Sequence, residues 1–268
     1  MSSIPPLLLV GCGRMGSAML AGWRERGLAP SFAVDPAPGA ARNAGPDLTV
    51  VDDLAAVPLG FAPAAVILAV KPQSAAEALP PYARFAGSAV FLSIMAGRTI
   101  GGIQALLGGH AAIVRAMPNT PAAVRQGITV AAPNAAVTAA QRELCGALLR
   151  AIGLVEWTEQ EALLDPVTAV SGSGPAYVFL LAELMEKAAI EQGIAPDLAR
   201  VLARQTVAGS GALLAASSES AAELRVAVTS PGGTTQAALE VLMAPDRLPK
   251  AFSEAIAAAT RRSRELAG

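Results

Sequence analysis

Two stretches of this chain combine residue types and spacings suited to holding a small anionic molecule, and a third is a glycine–hydroxyl loop. In the first, the apolar run Leu7-Leu8-Leu9-Val10 feeds Gly11-Cys12-Gly13-Arg14-Met15-Gly16, and a helical pattern of Ala18, Met19, Leu20 and Trp23 follows. Gly11 permits a tight bend, Gly13 lets the backbone approach a pyrophosphate, and Gly16 lets the new helix pack closely on the strand. The unpaired N–H groups and the positive dipole end of that helix would face the phosphates. In the second, Thr229-Ser230-Pro231-Gly232-Gly233-Thr234-Thr235 opens a helix. Its adjacent glycines are expected to expose consecutive N–H groups beside several hydroxyls, a combination suited to a carboxylate. The third, Val167 to Tyr177, contains Ser171-Gly172-Ser173-Gly174-Pro175 and reads as a loop; a capped helix start, with Ser173 capping and Pro175 in the first turn, explains it equally well.

Single residues add to these stretches. Phe32-Ala33-Val34-Asp35 reads as a second strand ending in an acid before Pro36, about 20 residues beyond the glycine turn, where a carboxylate accepts hydrogen bonds from ribose hydroxyls. Such a charge repels a 2′-phosphate and leans towards NADH, although Arg42 is near enough in sequence to compensate. Lys71 follows the apolar run Ala65 to Val70, so it stands at the carboxyl end of a strand, where ligands of open α/β sheets bind; an exposed loop lysine is the alternative. The single histidine, His110, follows Gly108-Gly109 and reads as a solvated loop residue.

The positioning elements follow from periodicity. Short apolar runs at Leu48–Val51, Ala65–Val70, Ala89–Ile94, Ala112–Arg115, Gly127–Ala132 and Gly153–Thr158 read as strands, with Ala65–Val70 and Ala89–Ile94 expected to be buried in a parallel sheet. Helical patterns stand between them, and Arg115-Ala116-Met117-Pro118-Asn119-Thr120-Pro121 reads as a rigid turn. Beyond Glu159 strand signals stop, and Tyr177–Gln192, Pro196–Ala216, Ala221–Val228, Thr234–Met243 and Leu248–Leu266 read as helices. Strands first and helices second predict two domains, residues 1–160 and 161–268.

Composition narrows the class. The chain has 268 residues, 53% hydrophobic and 15% charged, which predicts a folded protein with a substantial core. A net charge of −1 gives no electrostatic reason to expect nucleic acid or an anionic membrane as partner. Two cysteines and one histidine lack metal-type spacing, so no metal site is expected. No Lys or Arg precedes the first apolar run, and no uninterrupted apolar segment is expected to approach membrane-spanning length. The expectation is a soluble cytoplasmic protein.

Taken together and in order, Ala69-Val70-Lys71-Pro72-Gln73, Arg115 to Pro121, Ser171-Gly172-Ser173-Gly174-Pro175-Ala176-Tyr177-Val178-Phe179 and Thr229 to Thr235 closely resemble the pyrroline-5-carboxylate reductase family, from the first strand to near residue 243. The resemblance implies an α/β Rossmann-type N-terminal domain and an all-α C-terminal dimerisation domain. It also implies dimers that can assemble into rings, with each active site completed by the partner's helical domain. The implied activity is NADPH- or NADH-dependent reduction of 1-pyrroline-5-carboxylate to L-proline. Carried across, Ser230, Gly233, Thr234 and Thr235 hold the substrate carboxylate, while Lys71, Glu161 and Thr168 lie near the ring nitrogen. The cofactor is lined by Gly11, Cys12, Gly13, Arg14, Met15, Gly16, Asp35, Pro36, Ala69, Val70, Lys71, Pro72, Ala96 and Gly97. Asp35 departs from the neutral or basic residues that give the family its NADPH leaning, and Pro166 and the Ser217–Ala221 loop depart as well.

Two other readings fit parts of the chain. A β-hydroxyacid-type dehydrogenase shares the layout but needs a catalytic lysine on a helix of the second half, where only Lys187 and Lys250 occur, neither in a glycine-rich turn. A non-catalytic dinucleotide-binding sensor would keep Gly11 to Gly16 and have no use for the Ser230 to Thr235 turn.

Overall fold

The computed structural model describes residues 4–267. By internal contacts the chain forms two units, Met1–Gly172 with Ala259–Gly268, and Ser173–Ala258. In the first unit the chain runs through β1 (Leu7–Val10), α1 (Arg14–Glu25), β2 (Ser31–Val34) and β3 (Leu48–Val51). It continues through β4 (Ala65–Leu68), α2 (Ala75–Ala78), β5 (Val90–Ser93), α3 (Ile100–Leu106) and β6 (Ala112–Met117). Then come β7 (Gly127–Pro133), α4 (Ala139–Leu149) and β8 (Gly153–Trp157). These strands make one eight-stranded sheet in the order β3-β2-β1-β4-β5-β6-β7-β8.

All pairs are parallel except β6 with β7. The exception follows from chain length. Between Met117 and Gly127 there is only a turn with a 3-10 segment at Thr120–Val124, too short for the crossover that a parallel partner requires. Alternation along each strand sends side chains to opposite faces, so Leu7 and Leu9 join one buried cluster while Leu8 and Val10 join the other. On the first face Trp23 of α1 is buried and donates its indole N–H to the Leu148 carbonyl of α4 at 2.9 Å, which ties the two helices together. Thr138 and Gln141 form a capping box that starts α4.

Register is what assembles the site. Val10 pairs with Val34 on one side and Leu68 on the other, and Leu68 pairs with Ser93. The carboxyl ends of β1, β2, β4 and β5 are therefore level. The glycine turn, Asp35, Ala69 to Pro72 and Met95 to Gly97 all emerge from one edge of the sheet, at the point where strand order reverses between β1 and β4.

After β8, α5 (Leu164–Val167) leads into a π-helical segment, Thr168–Gly172. The second unit holds α6 (Gly174–Glu191), α7 (Pro196–Ala216), α8 (Ala221–Ala227) and α9 (Thr234–Leu242). The last helix, α10 (Leu248–Ala267), begins there and ends with residues grouped in the first unit. The loop expected at Val167 to Tyr177 is thus helical. A bend at Ser173 separates the π-helical segment from α6, of which Ser173 is the N-cap without a side-chain bond, and Pro175 lies in the first turn, where its missing N–H costs nothing. Thr168 and Ser171 donate their hydroxyls back to the carbonyls of Leu164 and Val167, at 2.6 and 3.0 Å.

This continuity corrects a second expectation. Glu161 to Glu191 is, by length and composition, apolar enough to cross a membrane, and only 6% of its most apolar window is buried. The whole second unit shares this exposure. Among its described residues only Ala199 and Ala203 are buried, while Phe179, Leu184, Val201 and Val241 lie more than half exposed. Apolar faces of this extent on a folded chain mark an association surface.

Candidate active site

The glycine turn has the geometry of a phosphate cradle. Gly11 has a left-handed φ of +96°, and a Cβ there would lie 2.8 Å from the Ala69 carbonyl oxygen; a Cβ on Gly16 would lie 2.5 Å from the Gly11 carbonyl oxygen. Both positions therefore exclude side chains. Gly13 differs. It is exposed, and nothing lies within 4 Å of where its Cβ would stand. Gly13 is the N-cap of the twelve-residue α1 and makes no side-chain cap bond, so α1 presents an open, dipole-positive end over that clear space. Backbone with room in front of it and donors around it fits a pyrophosphate.

Asp35 closes one side of the cradle. Its Oδ2 accepts the Cys12 N–H at 2.6 Å and its Oδ1 accepts the Ala37 N–H at 2.9 Å. Pro36 beside it is exposed. Burial, with the Asp35 charge second, pushes the Cys12 thiol up to about 11, so it stays a neutral thiol at physiological pH. Ser17 of α1 donates its hydroxyl to the Cys12 carbonyl at 2.9 Å and holds the turn from the other side.

Opposite the cradle, the segments after β4 and β5 are laced together. Ala69 donates its N–H to Val10 at 2.8 Å, and Val70 and Lys71 follow at the rim. Lys71 is exposed, and among the described residues its ammonium forms no ion pair. Arg98 donates its Nε–H to the Pro72 carbonyl at 2.8 Å, bridging the two segments. Ala96 is exposed between them, and Gly97 packs against Leu266 of α10. Further along, Ser263 of α10 donates its hydroxyl to Asp165 of α5 at 2.7 Å.

Two predicted residues have partners that narrow their chemistry. Glu161 is not a free carboxylate. Its Oε1 accepts both the Arg115 Nη1–H at 2.8 Å and the Ile100 N–H at 2.7 Å, leaving Oε2 as the oxygen open to other donors. Thr168 donates its hydroxyl proton to Leu164, so its oxygen is left as an acceptor.

The Ser230–Thr235 turn belongs to the second unit and corrects the expectation of two open glycine N–H groups. Gly233 donates to the Ser230 carbonyl at 3.0 Å, and Gly232, with φ of +70°, donates to Oε1 of Gln236 at 2.7 Å. The donors still facing outward are those of the first turn of α9, at Thr234 and Thr235, beside the hydroxyls of Ser230, Thr234 and Thr235. Gln236 is oriented in turn by its bond from Nε2 to Glu240 at 3.1 Å. A cleft of about 910 Å³ between α6 and α7, lined by residues such as Glu183, Lys187, Arg200 and Arg204, contains none of the predicted site residues.

Sequence reasoning missed Arg115, Arg98 and Gln236 as contributors. Gln236 had a local signal, because a Gln at the third helical position commonly reaches back to the backbone before the helix. Arg115 and Arg98 had none, since their partners lie 46 and 26 residues away.

Comparison with known proteins bears on this site. A family model described as pyrroline-5-carboxylate reductase dimerisation matches residues 161–266. A pyrroline-5-carboxylate reductase of Pseudomonas aeruginosa is 39% identical over 99% of this chain and 98% of that protein. Among solved structures, a pyrroline-5-carboxylate reductase from Coxiella burnetii superposes with a TM-score of 0.89 at 32% identity, covering 98% of each chain. A Plasmodium falciparum pyrroline carboxylate reductase with NADP bound superposes with a TM-score of 0.81 at 27% identity, covering 98% of this chain and 100% of that one.

Proposed function

The chain belongs to the pyrroline-5-carboxylate reductase family, and from that premise we propose how its own residues carry out the reaction. It is an NAD(P)H-dependent imine reductase acting on 1-pyrroline-5-carboxylate to give L-proline. When bound, the nicotinamide cofactor supplies the hydride. Gly13, Arg14 and Met15 hold its pyrophosphate on the N-terminus of α1. Val70, Lys71, Pro72, Ala96 and Gly97 line the rim where the nicotinamide end rests.

The turn Ser230 to Thr235 receives the substrate carboxylate, on the open N–H groups of Thr234 and Thr235 and the neighbouring hydroxyls. Thr168, left as an acceptor, takes the N–H of the protonated ring nitrogen, and Lys71 stands near that nitrogen at the rim of the sheet. Glu161 acts through its ion pair with Arg115 and its bond to Ile100, fixing the segment that carries Ala96 and Gly97. Reduction of a protonated imine needs no protein nucleophile, so positioning carries most of the catalysis. The helical domain, residues 161–268 in this reading, self-associates; further assembly of dimers into rings and completion of each site by the partner belong to the same proposal. A cytoplasmic location belongs to the same proposal.

The observation that carries the substrate assignment is the open first turn of α9 beside three hydroxyls. Its test is steady-state kinetics of Ser230→Ala and Thr235→Ala. Each is expected to lower kcat/KM for pyrroline-5-carboxylate by about tenfold through loss of a charge-assisted hydrogen bond, with NADH affinity intact. Unchanged kcat/KM in both variants contradicts the assignment.

A further inference from the structure

We infer that the end of α10, from Ala259 on, is a positioning element of the active site. Leu266 braces the cofactor rim at Gly97, and Ser263 braces α5 just ahead of Thr168. The inference rests on the roles proposed above for Gly97 and Thr168. Ala259–Gly268 groups with the first unit, as do Gly97 and Asp165, so both contacts lie inside one unit.

The rim needs outside support because its own backbone supplies little. Beyond β5, Ile94 still donates to the Leu68 carbonyl at 3.0 Å, and Met95 donates to the Ser93 hydroxyl at 3.3 Å. Among the described residues, the N–H groups of Ala96 and Gly97 then donate to nothing in the protein. Ties resume at Arg98, bonded to the Pro72 carbonyl, and at Ile100, bonded to Glu161. What meets the untied stretch is the last turn of α10. Gly97 is buried with a left-handed φ of +69°, and a Cβ there would stand 3.0 Å from the Leu266 carbonyl oxygen and 3.1 Å from its Cβ. The helix end therefore packs directly on the rim backbone. Packing holds Gly97 in place and leaves the exposed Ala96 open to a ligand.

Ser263 lies one helical turn before Leu266, so the two share a face of α10. It is buried, and its hydroxyl donates to Oδ1 of Asp165 at 2.7 Å. Asp165 stands in α5, where the Leu164 carbonyl takes the Thr168 hydroxyl proton at 2.6 Å. Holding α5 therefore sets where the acceptor oxygen of Thr168 points. The other side of the helix end faces solvent, with Arg262 and Glu265 paired to each other at 2.9 Å and more than half exposed. Helix ends fray unless they are tied down, and this one is tied at two points along one face. Each tie leads to a different part of the site, one to the cofactor rim and one to the substrate side.

The experiment compares Leu266→Gly and Ser263→Ala in the full chain. NADH binding is read by fluorescence titration, and turnover by varying pyrroline-5-carboxylate at saturating NADH. Leu266→Gly removes the contacting Cβ and loosens the last turn. It is expected to weaken NADH binding about threefold to tenfold while KM for pyrroline-5-carboxylate keeps the parent value. Leu266→Ala, which restores the Cβ, is expected to recover most of that affinity. Ser263→Ala is expected to do the converse. It lowers kcat/KM for pyrroline-5-carboxylate about threefold to tenfold, through loss of a buried hydrogen bond, and leaves NADH binding unchanged. Arg261→Ala, at an exposed position of the same helix, is expected to match the parent in both readouts. A merely structural role would lower both readouts together with the melting temperature and would not split them. Parent values in both variants, or parallel loss of both readouts in each, overturns the inference. A parent protein that reduces no pyrroline-5-carboxylate overturns the imine reductase reading and with it the role of Ser263, while the NADH titrations of Leu266→Gly and Leu266→Ala still decide the brace at the rim.

Discussion

Arg115 of β6 and Glu161 meet at 2.8 Å with the guanidinium almost wholly enclosed, its side chain 6% exposed, while Glu161 keeps 29% of its surface. The same Glu161 oxygen takes the N–H of Ile100 at 2.7 Å, at the first turn of α3. One carboxylate oxygen thus joins a central strand, the start of a helix and the segment that leads into the helical half. Thr99 adds the N-cap bond to Gly102 that fixes the same helix start.

Removing one partner of this pair leaves the other without its counter-charge. Arg115→Met is expected to lower the melting temperature by about 5–10 °C, taking a few kcal/mol for a broken, mostly buried pair. Glu161→Gln retains an acceptor for Ile100 but leaves the enclosed guanidinium without its counter-charge, and is expected to cost at least as much. Differential scanning fluorimetry of both variants checks the order; equal, negligible shifts would mean that solvent replaces the pair.

Glycine substitutions separate folding from binding within one turn. Gly16→Ala places a Cβ 2.5 Å from the Gly11 oxygen and is expected to destabilise the chain by about 1–3 kcal/mol, because backbone has to move. Gly13→Ala meets nothing within 4 Å and is expected to melt within a few degrees of the parent. It is nevertheless expected to weaken NADH binding about tenfold, since its methyl group occupies the space given to the pyrophosphate. Melting curves with NADH titrations check both halves.

Alkaline pH is expected to unfold the protein earlier than its acid side chains alone would suggest. Burial raises the Cys145 thiol to about 12 and the Tyr82 phenol to about 12, and raises Cys12 to about 11 with help from Asp35. Each ionises first in the unfolded chain, near 9 for a thiol and 10 for a phenol. The stability these neutral groups contribute is whole below pH 9 and drains away as pH rises through 9–12, at up to about 1.4 kcal/mol per pH unit for each ionised group. Urea midpoints between pH 8 and 10.5 follow this directly, and Cys145→Ala is expected to flatten the decline.

Much of the first unit was legible because its signals are local. Strands such as Ala65–Leu68 are unbroken apolar runs, and the acid after β2 stands a fixed distance from the glycine turn. The position of Asp35 could be read in this way, whereas its bond to Cys12 could not, because hydrogen-bond choice depends on three-dimensional proximity across 23 residues. Around Pro175 the loop reading failed, whereas the helix-start reading placed Ser173 at the N-cap and Pro175 in the first turn of α6, though Ser173 makes no side-chain cap bond. Clustered Gly, Ser and Pro usually mark loops, but here a π-helical segment leads through one bend into α6, and the apolar stretch runs on across it. At Gly232 and Gly233 the composition correctly marked a special turn but not which N–H groups stay open. Gln236 fills one of them from the next helical turn.

The most direct measurement is product formation by the purified protein given 1-pyrroline-5-carboxylate and NADH. Loss of absorbance at the reduced-nicotinamide band is expected, with one L-proline formed per NADH consumed and no reduction of NAD by 3-hydroxy acids. Tight NADH binding without proline formation, or turnover with a 3-hydroxy acid instead, would contradict the account.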